Sequence, residues 1–106
     1  MPPNRSTISI DPESNLVFGG SLTVSYTSNS TAQLWGHMEV SQGGQVVCAQ
    51  FATLSDPLTQ PQPFGLGPTP MWQGGAATGK VDLVTFDTKR GTFSKPLATT
   101  TFSVAA

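Results

Sequence analysis

Charge is scarce in this chain, and so are histidine and cysteine. Of 106 residues, five are Lys or Arg and six are Asp or Glu, for a formal net charge of −1. Proteins that bind nucleic acid concentrate positive charge on one face. With only Arg5, Lys80, Lys89, Arg90 and Lys95 as its basic residues, this chain gives no electrostatic reason to expect DNA or RNA. One His and one Cys cannot build a structural zinc site, and the scattered carboxylates lack the spacing of a calcium loop, so no metal or cofactor is expected. A lone Cys48 cannot close an internal disulfide. It reads as a small buried side chain, and any two sheets here must be joined by packing alone. No run approaches the roughly 18 to 20 apolar residues that span a bilayer, and Met1 to Ser6 lacks the apolar core of a secretory signal. The expectation is therefore a soluble chain made in a cytoplasm, with no membrane partner.

What the chain does have is hydroxyls, glycine and proline. Serine and threonine number twenty-five, more than twice the charged residues, and favour strands over helices. A surface with so few charges resists self-association or tight docking only weakly. The length suits one domain. Thr7 to Ile10 alternates and stops at Asp11-Pro12, with residues 1 to 6 as a loose arm before it. Gly19-Gly20 opens Ser21 to Thr27, in which Leu22, Val24 and Tyr26 share one face. Gln33 to Ser41 alternates again, with Leu34, Gly36, Met38 and Val40 on one face and Trp35, His37 and Glu39 on the other. Gln42-Gly43-Gly44-Gln45 predicts a tight hairpin into a partner strand over Gln45 to Ala52.

Periodicity then stops. Ser55 to Met71 carries five of the nine prolines, so it must be an edge or a surface connection, with Phe64 and Leu66 as its anchors into the core. From Phe64-Gly65-Leu66-Gly67 through Trp72-Gln73-Gly74-Gly75-Ala76 to Lys80–Asp87, a buried aromatic, a glycine corner and a strand follow in the order that one wall of a small sandwich needs. Along that strand Val81, Leu83 and Thr85 face one way and Asp82, Val84 and Phe86 the other. Asp87 to Gly91 reads as a hairpin loop, and Leu97 to Val104 closes the domain with Phe102 and Val104 inward. Turn signals every eight to twelve residues, without helical periodicity, predict an all-β, immunoglobulin-like sandwich of about seven strands over residues 7–106.

Catalysis finds little support. His37, Glu39 and Ser41 share a strand face, but residues two apart on a strand lie roughly 6.5 to 7 Å apart, too far for a nucleophile to meet its base. The row reads better as an exposed or interface-facing surface, and the chain as no enzyme. Trp35 beside His37 and Glu39 is the residue type that anchors interfaces, although it could instead cover the Pro-rich crossing of its own domain. Lys89, Arg90 and Lys95 gather at one loop end, either as a solvated tip or as a contact for an acidic partner. On these residues alone the chain is a small all-β domain with a binding or structural task.

Several short motifs carry a resemblance. Asp11-Pro12, Leu16-Val17-Phe18-Gly19-Gly20, Gln42-Gly43-Gly44, Phe64-x-Leu66-Gly67, Trp72-x-Gly74-Gly75-x-Ala77 and Val81-x-Leu83 together resemble the small immunoglobulin-like domains of actinobacteria and their tailed phages. The resemblance implies a pair of sheet-bridging cysteines, one ending the third strand and one before the Val-x-Leu strand. Here those places hold Val40 and Gly79, which favours folding in a reducing cytoplasm. It further implies a virion component, first of all a head decoration protein on the capsid surface. Its partner would be the major capsid protein or another virion protein, with possible self-association on the particle. The other reading is a carbohydrate or host-surface binding module, with Trp35 or the Pro-rich loop stacking on sugar rings.

Overall fold

The computed structural model describes residues 3–54 and 62–106. Nine strands run through the described residues in the order β1 Thr7–Asp11, β2 Leu16–Val17, β3 Ser21–Thr27, β4 Leu34–Gln42, β5 Gln45–Leu54, β6 Gln62–Gly65, β7 Ala77–Asp87, β8 Thr92–Phe93 and β9 Ala98–Ala105. Seven of them exceed two residues, and no helix accompanies them.

The strands form two sheets. One has the order β1-β3-β6, the other β2-β9-β7-β4-β5, with β8 added to β7. This is an immunoglobulin-like sandwich of two packed sheets. The chain enters the larger sheet early, because β2 lies parallel to β9 with Leu16 opposite Val104. Between the sheets the inward residues of each alternating strand meet. Leu22, Val24 and Phe64 come from the smaller sheet, and Met38, Val40, Val81 and Phe102 from the larger. The expected inward and outward faces of β4 are observed, with Leu34, Gly36, Met38 and Val40 buried. Gly43 and Gly44 take φ of 57° and 83°, the positive values that a two-residue hairpin between β4 and β5 demands.

The stretch from Phe64 to Asp87 departs from expectation. It serves both walls, since Phe64 pairs with Leu22 in the smaller sheet while β7 is central in the larger one. Trp72 carries the chain across. Its ring is fully buried and meets Phe18 edge-on at 5.1 Å, and its indole N–H donates to the Gly75 carbonyl at 3.3 Å. A turn from Thr69 to Trp72 fixes its approach, and the Thr69 hydroxyl donates to the Val47 carbonyl of β5 at 2.6 Å. Of the proline-rich stretch, residues 55–61 lie outside the described residues. Phe64 and Leu66 are buried anchors, as the sequence predicts.

Two details of the implied family pattern also change. Val40 and Gly79 face each other on adjacent strands of one sheet, so a bridge at these positions would link β4 to β7 and leave the two sheets unjoined. Gly79 has a separate reason to be glycine: a Cβ built on it would collide with the Cζ end of the Phe102 ring, which packs over its backbone. Cys48 is buried in the core, as expected. At the N-terminus, residues 3–6 pair with no strand but are tied to the body. Asn29 accepts from the Arg5 N–H and donates to the Pro3 carbonyl, each at 2.9 Å, and Asn4 donates to the Leu97 carbonyl at 2.9 Å.

Candidate interaction face

The outward face of the larger sheet collects most of the residues singled out in the sequence. Period-two alternation along β4 sends Trp35, His37, Glu39 and Ser41 to this face, while Gly36, Met38 and Val40 enter the core. The register with β7 sets Trp35 beside Val84, His37 beside Asp82 and Glu39 beside Lys80. The register with β5 sets Trp35 beside Thr53, His37 beside Phe51 and Glu39 beside Ala49. One end of the face is therefore aromatic and the other polar.

At the aromatic end five rings pack together. His37 and Phe51 stack at 3.9 Å with planes 2° apart, and Phe51 and Phe93 stack at 4.8 Å and 15°. Trp35 meets Phe93 edge-on at 5.8 Å and Phe86 at 6.4 Å, and Phe86 closes the set against Phe93 at 4.9 Å. Each such pair adds about 0.5–1.5 kcal/mol beyond simple burial. Even so, Phe51 remains 47% exposed and Phe93 39% exposed. Among the described residues the ring contacts of Trp35 are those with the β7–β8 hairpin, so its neighbours are Phe86 and Phe93.

Charges are spent on one another at the polar end. Lys80 lies 3.8 Å from Glu39 and 3.7 Å from Asp82, and the Thr99 hydroxyl donates to Asp82 at 2.7 Å. Asp82 is 4% exposed, and this hydroxyl and the lysine are what make its burial tolerable. Next to this network an open groove of about 830 Å³ is lined by Glu13, Asn15, Glu39, Ser41, Lys80 and Thr101, among others. Among the described residues no hydrogen bond joins Ser41 to His37, and no three His, Cys, Asp or Glu side chains converge as a metal site.

Lys89 and Arg90 occupy the tip between β7 and β8. Their backbone N–H groups donate to the Asp87 carboxylate at 2.9 and 3.2 Å, and the Arg90 side chain lies 3.8 Å from it. Because Phe86 pairs with Phe93 and Asp87 with Thr92, this basic tip projects just past the aromatic end of the face. The structure thus brings Trp35 and His37 into one cluster, puts Glu39 in the polar network beside it, and sets Lys89 and Arg90 at its rim.

Sequence reasoning had not assembled Phe51, Phe86 and Phe93 with them. For Phe86 a signal existed, since it shares the alternation of Asp82 and Val84. Phe51 could be placed only with the β4–β5 register, which a bulge at Val40/Ser41 shifts by one residue. Phe93 sits on a two-residue strand between the expected loop at Asp87 to Gly91 and the expected last strand from Leu97, a stretch to which the sequence pattern assigned no element. Comparison with protein-family models, with curated proteins and with solved structures found no match.

Proposed function

We propose that this domain is a non-enzymatic docking module, a capsid-surface or head decoration subunit of a tailed phage, and that it meets its partner through the aromatic end of the larger sheet. The observation that carries the docking reading is the cluster of Trp35, His37, Phe51, Phe86 and Phe93, gathered on an outer face and left partly exposed. Exposed aromatics grouped in this way, beside a polar rim, mark surfaces that bury themselves against another protein. The basic tip at Lys89 and Arg90 supplies the rim on one side. The phage assignment rests on the motifs Leu16 to Gly20, Gln42 to Gly44 and Trp72 to Ala77 and on analogy with domains that carry them. Docking on a repeating shell also multiplies a small interface by avidity.

The sugar-binding alternative draws less from the same geometry. Stacking on a sugar requires a flat ring face open to solvent. Here the stacked faces are turned toward neighbouring rings: His37 and Phe93 both stack on Phe51, and Phe86 and Trp35 pack against Phe93.

The test mixes purified protein with mature tailed-phage particles lacking it, and separately with a glycan array. Saturable binding to particles, without binding to glycans, is the expected result. Binding to glycans alone would overturn the proposal, as would failure to bind particles on which mass spectrometry finds no copy of this chain.

A further inference from the structure

The larger sheet ends at β5, and β5 has the features of a strand that pairs with a copy of itself. Natural sheets protect their edges with charge, proline or short strands. β5 is ten residues long, and its sequence from Gln45 to Leu54 contains neither a charged residue nor a proline. Among the described residues no strand pairs with its outer side. Among the described residues, four of the five exposed large hydrophobics border it: Val46 and Phe51 lie on it, Phe93 stacks on Phe51, and Met71 belongs to the turn that Thr69 fastens to Val47. The fifth, Val17, is on β2 at the other end of the sheet.

The ladder shows which backbone groups are open. Gln42 and Gln45 close the hairpin as a hydrogen-bonded pair, and antiparallel pairs then alternate. Past the bulge, Val40–Cys48, Met38–Gln50 and Gly36–Ala52 are the hydrogen-bonded pairs, while Glu39–Ala49, His37–Phe51 and Trp35–Thr53 are not. The close stacking of His37 on Phe51 agrees, because side chains come nearest in non-hydrogen-bonded pairs. The N–H and C=O groups of Ala49, Phe51 and Thr53 therefore point away from β4, toward the edge with which no described strand pairs. Val47 is already engaged, since Thr69 donates to its carbonyl, so the open stretch begins at Ala49.

We infer that two copies of this chain join through β5, antiparallel about a two-fold axis at Phe51, so that Ala49 of each subunit lies opposite Thr53 of the other. The pattern of donors and acceptors along an antiparallel strand is self-complementary about such an axis, which is what an isologous contact requires. No charge on β5 opposes the approach, and the net charge of each chain is only −1. A two-fold axis perpendicular to the sheet keeps both outer faces on the same side. The two aromatic clusters then lie on one surface of a continuous sheet, with Phe51 of each subunit at the seam. This inference is independent of what the aromatic face binds.

Sedimentation equilibrium on the purified chain tests it, with substitutions chosen at exposed positions outside the core and the ring cluster. The wild type is expected to approach twice its 11.1 kDa mass as concentration rises. The double variant A49K/T53K sets like charges opposite each other and is expected to dimerise at least about tenfold more weakly. The double variant A49K/T53E sets opposite charges across the same pairs and restores the dimer. V17K, on the far edge, leaves it intact. Circular dichroism and thermal melts confirm that each variant is folded. A wild type that stays at 11.1 kDa into the millimolar range overturns the inference. So does a dimer that survives A49K/T53K, or a folded A49K/T53E that fails to re-form it.

Discussion

The two tryptophans of this chain lead opposite lives. Trp72 lies outside the long strands yet is wholly enclosed, its N–H satisfied by the Gly75 carbonyl and its ring held against Phe18. Trp35 sits mid-sheet on β4 and faces outward among rings that remain partly wet. Around Trp72 the packing is one contiguous core reached from both sheets. Around Trp35 the packing is a single layer of rings on the outer face of one sheet. Both regions are aromatic and ordered by specific contacts. The first holds the sheets together without a disulfide, and the second is the surface we propose for docking.

If that division is right, substitutions should separate fold from docking. The largest effect is expected at Trp72→Ala, which should cost about 3–5 kcal/mol of unfolding free energy in urea denaturation, through the cavity it opens. Gly79→Ala comes next, because the new methyl meets the Phe102 ring in a filled core. A loss of about 1–3 kcal/mol is expected, and a Gly79→Ala/Phe102→Leu double variant should recover part of it. Asp82→Ala removes the acceptor of the Thr99 hydroxyl and one partner of Lys80, for a loss of about 1–2 kcal/mol by thermal melting. Smallest in stability is Lys89→Ala with Arg90→Ala, expected to stay within about 0.5 kcal/mol of wild type because both side chains project from an exposed tip. A weakened particle binding in that last variant, at unchanged stability, would sharpen the comparison by placing the tip in the docking surface. A stability loss there as large as at Trp72 would break it.

Much of the inner region was legible in the sequence. Alternation in Ser21–Thr27 and Leu34–Gln42, the paired glycines at 43 and 44, and the apolar spacing of Phe64 and Leu66 each fix a local geometry that the packing then uses. The outer region was legible only at its single-strand level. Trp35, His37 and Glu39 could be placed on one face, because a strand face needs no knowledge of neighbours. Phe51, Phe86 and Phe93 join them through pairings between β5, β4, β7 and β8, and register is a property of two strands at once. The same limit explains the Val40 and Gly79 positions. Their places along the chain could be read, but whether they look across the sandwich or along one sheet depends on which strands are neighbours.

The central claim is that the aromatic layer around Trp35 faces a partner while the core around Trp72 holds the fold. Its most direct test is a binding isotherm of the folded double variant Trp35→Ser/Phe93→Ser on tailed-phage particles that lack this chain and bind the wild type. The expected result is a Kd at least about tenfold weaker, with a circular dichroism spectrum like that of the wild type, as removal of two interface anchors implies. An unchanged Kd for this variant would contradict the account.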